Sequence, residues 1–286
     1  MSAHALQTGQ DSNIAQVVRR GLTYAVLIAL SAFFLMPVYM LFVNGLKSAR
    51  DVSVSDMWSL PRTIGIGGFA EAWEKLGPSF QNSLIMTGTA TIVSCLIGSL
   101  TAYILTLWGV RFSRWITVLI IFGMFIPYQS IIIPLTFLAQ KLGLYGTIAG
   151  LIVVHVIYGQ SVNILVFGNY YRTIPKALIE AAKVDGAGVL KTYFKIILPL
   201  SAPGFVVAGI FQFTNIWNDF LFGVILVPNP AAQPVTVALS NLSGNYSVDW
   251  NVVMAGAIVA ALPTILIYLV LGRYFVQGLT SGSVKS

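Results

Sequence analysis

Charge is what this chain of 286 residues has least of: Asp, Glu, Lys and Arg together make up 9% of it, against 57% hydrophobic residues. A soluble domain is about a quarter charged, so a water-covered surface cannot be built from this composition. Acids are scarcer still, nine in all, and His occurs twice. No Ser/His/Asp set, no paired carboxylates and no metal-ligand spacing can be assembled from so few polar groups, which argues against a membrane enzyme. The single cysteine, Cys95, excludes an intramolecular disulfide and a multi-cysteine metal site.

What is present is long uncharged sequence. About twenty apolar residues span the hydrocarbon of a bilayer. Six runs meet that length: Gly21–Leu46, Asn82–Val110, Trp115–Gln140, Leu142–Tyr171, Pro203–Val227 and Trp250–Gly272. Backbone groups in lipid must bond internally, and the ten-residue alternation of barrel strands is missing, so the runs are expected to be helices. The first run is longer than a signal-peptide core and ends in Asn44-Gly45-Leu46-Lys47 without a small-residue cleavage site, so it is expected to stay. The fold class is therefore all-α, an integral membrane protein with six transmembrane helices.

The net charge of +7 is spread over short loops and not gathered in one patch, which argues against a nucleic-acid partner. With the N-terminus inside, Arg19, Arg20, Arg111, Arg114, Arg172, Lys176, Lys183, Lys191, Lys195, Arg273 and Lys285 are cytoplasmic. Only Lys47, Arg50, Arg62, Lys75 and Lys141 lie outside. The positive-inside rule then places both termini in the cytoplasm. The expected organisation is a segment 1–20, polar and mobile over residues 1–16, a six-helix domain 21–276 and a cytoplasmic tail 277–286. Lys47–Gln81 is the longest polar stretch and is placed outside. Trp58 and Trp73 are expected to pack within it, and Trp108 and Trp115 to anchor the opposite interface.

Small residues recur four apart in Ser94-x-x-x-Gly98-x-x-x-Ala102, Gly146-x-x-x-Gly150 and Gly256-x-x-x-Ala260, a spacing that lets helix backbones approach. Pro127 and Pro134 bracket Tyr128-Gln129-Ser130. This reads either as a helix broken beside a cavity, with Gln129 as a lining residue, or as a plain structural kink. Gln212, Asn215 and Asp219 fall on one stripe of the fifth run, and Asp219 is the only acid within a span. An intramembrane ionisable group marks a pathway or is held as structural glue; both readings stand. His155 and Asn163 read as structural polar contacts.

The mixed, charged stretch 172–203 reads as two short helices. Thr173 is the expected N-cap, with Pro175 in the first turn. Ala177, Leu178, Ala181 and Ala182 form a narrow apolar face, and Gly186 makes a reversal. Val189, Leu190, Tyr193, Phe194, Ile196 and Ile197 then recur at helical spacing. An amphipathic pair of this kind lies on lipid headgroups or docks in a partner's cleft. Asp185–Thr192 ends in Lys191-Thr192 like a phosphate-binding loop, but Asp185 and Leu190 stand where that loop needs glycines. The chain is not expected to bind ATP itself.

Glu180-Ala181-Ala182, three residues, Gly186, nine residues and Ile196-x-Leu198-Pro199 together resemble the cytoplasmic EAA loop of ABC importer permeases. The likeness extends to Asn82-Ser83, Leu142-Gly143-Leu144-Tyr145, Asn169-Tyr170-Tyr171, Trp217-Asn218-Asp219-Phe220-Leu221, Gln233–Leu239 and the Gly278–Lys285 tail. It is similar to the carbohydrate-uptake branch, of the smaller maltose-importer permease type, with phrases like those of glucose/mannose and glucosyl-compound importers. Relatives often carry Glu where Asp219 stands. The resemblance implies the type I importer permease fold and no cofactor on this chain, with ATP and Mg held by a partner. The implied partners are a second permease, two ATPase subunits, an extracytoplasmic sugar-binding protein meeting Pro228–Asn251, a sugar substrate and membrane lipid. It assigns ATPase coupling to Glu180, Ala181, Ala182, Asp185, Gly186, Ile196, Leu198 and Pro199. The alternative is an ion-coupled secondary transporter, which the lone intramembrane acid and the lack of paired halves disfavour.

Overall fold

The computed structural model describes the backbone of residues 3–244 and 248–280, and the side chains of 16–244 and 248–273. The side chains of the expected tail 277–286, its backbone beyond Thr280, and residues 245–247 of the Pro228–Asn251 segment lie outside the described residues. Among those described, all regular structure is helical. The helices are α1 (Ala3–Gly45), α2 (Gly67–Tyr103), α3 (Ser113–Phe122), α4 (Tyr128–Lys141), α5 (Ile148–Tyr158), α6 (Gln160–Tyr171), α7 (Lys176–Val184), α8 (Val189–Thr192), α9 (Leu198–Leu200), α10 (Ala202–Trp217), α11 (Leu221–Leu226), α12 (Val235–Leu242) and α13 (Trp250–Thr280).

Three continuous helices are long and apolar enough to cross a membrane: Gln16–Gly45, Gly67–Trp108 and Trp250–Arg273. Three more crossings come from pairs bent at a short break. They are Ser113–Phe125 with α4 at 96°, α5 with α6 at 43°, and Val189–Leu200 with α10 at 79°. Six crossings therefore stand, but half are not the smooth rods that six apolar runs suggest. Glycine, serine and proline mark the bends. Pro127 removes a donor and pushes Ile126 to extended backbone (ψ 116°); Gly159 lies between α5 and α6; Ser201 sits among Pro199 and Pro203.

The backbone helix α1 begins at Ala3, ahead of the first apolar run. One expectation about helix limits fails. The second long helix starts at Gly67, well inside the stretch expected to be an outer loop. Its 42 residues to Trp108 span about 63 Å at 1.5 Å per residue, twice the hydrocarbon thickness. Trp73 consequently packs on a helix, its ring 5.5 Å from Phe80.

The chain forms two compact units, residues 1–72 with 249–258, and residues 73–248 with 259–286. In the first, the end of α1, the start of α2 and the start of α13 meet through glycines. A Cβ on Gly45 would touch Ala255 at 3.3 Å, and one on Gly68 would lie 2.8 Å from the Gly45 carbonyl. Lys47 is buried there, donating from Nζ to Asn44 Oδ1 (3.1 Å) and the Asp56 carbonyl (2.7 Å). Such donors cannot be left unsatisfied in an apolar setting.

In the second unit, Ser94, Gly98, Ser99, Ala102 and Tyr103 form the buried stripe of α2. A Cβ on Gly98 would fall 2.4 Å from Asn163 Cβ, so the small-residue spacing here does mark close helix contact. The Gly146/Gly150 pair does not. Gly146 (φ +78°) belongs to the turn before α5, where Thr147 is the N-cap accepting from the Gly150 N–H (3.1 Å). Phrases distant in sequence converge. Asn82 Nδ2 donates to the carbonyls of Ala231 (2.9 Å) and Gln233 (3.2 Å), and Ser83 Oγ accepts from the Val235 N–H (2.8 Å).

Candidate functional site

The break at Ile126–Pro127 opens onto a cavity of about 1070 Å³. The residues named from sequence as path candidates, Gln129, Gln212, Asn215 and Asp219, all line it. Between the broken-helix and plain-kink readings of Pro127, the geometry is that of a break beside a cavity. The fifth span, however, is not one helix from Pro203 to Val227. α10 stops at Trp217, and Asp219 lies in the gap before α11. Its carboxylate accepts from the N–H groups of Phe222 (3.5 Å, Oδ1) and Gly223 (3.2 Å, Oδ2). These are the orphan donors of a helix start, and a carboxylate is the natural group to meet them. The stripe expected on a continuous helix is therefore assembled across a helix end.

His155, read from sequence as a structural contact, lines the same cavity. Its Nε2 stands 3.7 Å from Asp219 Oδ2, and that nitrogen has no hydrogen-bond partner among the described residues. Asn163 does play a packing part, accepting from Cys95 Sγ at 3.8 Å. Gln212 is buried and donates to the His155 carbonyl (3.4 Å). Its amide crosses the α5–α6 break so closely that a Cβ on Gly159 would sit 2.0 Å from Nε2.

Aromatic rings complete the lining. Phe222 lies 5.4 Å from Tyr128, 5.3 Å from Tyr158 and 5.7 Å from the His155 ring, centroid to centroid. Tyr158 and Phe222 were not foreseen. The available signal was their position at helix breaks, Tyr158 next to Gly159 and Phe222 directly after the phrase that ends at Leu221. A concave site of apolar and aromatic walls with a few placed amides and one acid is a small-molecule site in form. Among the described residues no three His, Cys, Asp or Glu side chains gather to hold a metal ion.

The segment 172–203 folds as two arms. Thr173 is not the cap of α7; its hydroxyl donates back to the Tyr170 carbonyl (2.7 Å), and Pro175 occupies the cap position. α7 buries Ile179 and Ala182 and leaves Ala177, Leu178, Glu180, Ala181, Val184 and Asp185 outward. The expected face of Ala177, Leu178, Ala181 and Ala182 is thus mostly exposed, because Ile179 takes the inward position. α7 closes with the N–H of Gly186 on the Lys183 carbonyl (3.0 Å) and that of Ala187 on the Ala182 carbonyl (2.8 Å), a Schellman ending. Gly186 has φ +70° with open space around it; the need for glycine is conformational, not steric. Lys183 Nζ sits 4.5 Å over the Trp108 ring.

The second arm, Val189–Leu200, buries Thr192, Tyr193 and Ile197 and exposes Leu190 and Phe194. Ile196 and Leu198 are half-buried and Pro199 is exposed. A buried hydroxyl cluster fixes the arm. Ser99 Oγ meets Tyr171 Oη (2.5 Å) and Tyr193 Oη (2.9 Å), and Ser201 Oγ donates to Tyr171 Oη (3.1 Å). α2, α6, the second arm and the 79° bend itself are joined by these bonds.

Residues 94–281 match the family described as the binding-protein-dependent transport system inner membrane component. A probable ABC transporter permease protein of Pyrococcus horikoshii is 55% identical over 175 residues, 61% of this chain and 64% of that protein. The xylose/arabinose import permease protein of Haloferax volcanii is 35% identical over 94% of each chain. Among solved structures, a bacterial ABC transporter involved in the import of the acidic polysaccharide alginate superposes with a TM-score of 0.76, at 23% identity, over 89% of this chain and 96% of that one. With two thirds of its length inside the family and its helices in the fold of an ABC importer permease, the chain belongs to the binding-protein-dependent transport system inner membrane components.

Proposed function

We propose that this chain forms, with a second permease, the membrane path of an ATP-driven sugar importer, and that the loop 172–203 couples it to an ATPase subunit. The observation that carries the reading is the cavity. Its amides, single acid and aromatic rings suit a neutral polyhydroxyl ligand, whose hydroxyls hydrogen-bond to either an amide or a carboxylate. The permease for xylose and arabinose among its relatives supports the same substrate class.

Coupling follows from connectivity. Leu178, Val184, Leu190 and Phe194 present an exposed apolar face on the two arms, fit for burial in a partner's cleft. The second arm leads through Ser201 directly into α10, which carries Gln212 and Asn215 into the cavity. A partner that moves the loop therefore moves cavity-lining groups, while the Ser99–Tyr171–Tyr193 bonds carry the motion to α2 and α6. ATP and its Mg are held by the ATPase, and an extracytoplasmic binding protein delivers the sugar to the face that includes Pro228–Asn251.

The test is uptake by proteoliposomes holding the permease pair, with and without the ATPase and the binding protein. Sugar accumulation should require both, together with ATP. Uptake by the permeases alone on an ion gradient would establish the secondary-transporter alternative instead.

A further inference from the structure

A second cavity, of about 510 Å³, lies between the turn of π-helix that follows α2 (Ile104–Trp108), α3, α6 and the start of α7. It shares no lining residue with the first. Arg114, Arg172 and Lys176 line it, with Ser113 and Asn169 adding neutral donors. No acid lines it. Among the described residues these three cations have no ion pair and no ring contact. Their neighbours do better: Arg111 lies 4.9 Å over Phe112 and Lys183 covers Trp108. The rest of the wall is apolar, with Val118, Ile121 and Leu165 among its residues, and Val118 and Leu165 are exposed. Trp115, beside Arg114 in sequence, is 68% exposed, where an aromatic anchor at headgroup level would be.

Three uncompensated cations around one hollow repel one another, and an anion relieves that. A wall that is basic in one part and apolar in another asks for an amphiphile, and basic pockets between membrane helices hold lipid headgroups. We propose that this pocket binds the phosphate of an anionic phospholipid, its headgroup on Arg114, Arg172 and Lys176 and its chain along Val118, Ile121 and Leu165. The ligand thereby bridges α3 and α6 to the first residue of α7, making the loop's position dependent on lipid composition.

The test uses the assembled importer in nanodiscs of mixed phosphatidylglycerol and phosphatidylcholine. Photoreactive phosphatidylglycerol should label the wild-type chain within 105–121 or 164–176; label confined to other segments overturns the proposal. Native mass spectrometry then counts retained lipid. Neutralising Arg114, Arg172 and Lys176 to Gln should lower phosphatidylglycerol retention about fivefold per cation removed. Gly168→Leu keeps the cations and fills the pocket, since a Cβ there meets nothing closer than Thr106 Oγ1 at 3.7 Å; it should also lower retention. Unchanged retention in both variants contradicts the site. Protection of the wild type by inorganic phosphate with no phospholipid retained would make it a free-phosphate site and overturn the lipid assignment.

Discussion

Gly186 is the residue on which the loop's shape depends most. Its left-handed φ is cheap for glycine and costs about 1–2 kcal/mol for most other residues, more for a β-branched one. Gly186→Val should leave the protein inserted while ATPase co-purification and transport fall together, whereas Gly186→Asn, which tolerates that region, should retain much of both. Full uptake by the valine variant would remove the docking assignment. Gly159 makes a different demand, for space. Gly159→Ala should displace the Gln212 amide and reduce uptake, and adding Gln212→Ala should relieve the clash, so the double variant should be no worse than Gln212→Ala alone. An equal and additive loss would mean the two residues do not meet as described. The need for a small residue at Gly98 was legible in sequence because it recurs with Ser94 and Ala102 at one helical spacing. That at Gly159 was not, since its neighbour Gln212 comes from another helix.

Apolar length located the spans, because burying backbone in lipid leaves the chain little choice. Breaks were legible only where proline announced them, as at Pro127. The stop after Trp217 has no proline; it is set by Asp219 turning to cap α11, and a carboxylate in an apolar run reads equally well as helical. Asp219→Asn keeps one oxygen to accept from the Gly223 N–H, the shorter of the two bonds (3.2 Å), gives up the longer one to Phe222, and should retain substantial uptake. Asp219→Leu leaves those donors open and His155 Nε2 without its neighbour, and should lose most uptake with the complex still assembled. Failure to assemble would make the group structural glue. The hydroxyl cluster is a second element-level feature that spacing could not show, since Ser99, Tyr171, Tyr193 and Ser201 come from α2, α6, the second arm and the bend that ends it. Tyr171→Phe removes the hydroxyl shared by Ser99 and Ser201. It should destabilise the complex by about 1–3 kcal/mol and weaken the coupling of ATP hydrolysis to uptake, measured as the ratio of the two rates. A ratio unchanged from wild type would leave the cluster with no part in transmission.

For the whole molecule, the loop lysines and arginines give a prediction of sidedness. Cysteine labels at Arg62 and Ser240 should react from outside and a label at Lys183 only from inside. The inverted pattern would overturn both the charge reading and the loop's place. The larger claim joins loop to cavity within one chain, and it is tested most directly by sugar uptake in proteoliposomes of the complete importer, with ATP enclosed on the ATPase side and Gly186→Val compared with wild type. The account predicts ATP-dependent accumulation by the wild type, none without the ATPase, and a variant whose sugar uptake and ATP hydrolysis fall in step. Accumulation that persists without ATPase or ATP would contradict it.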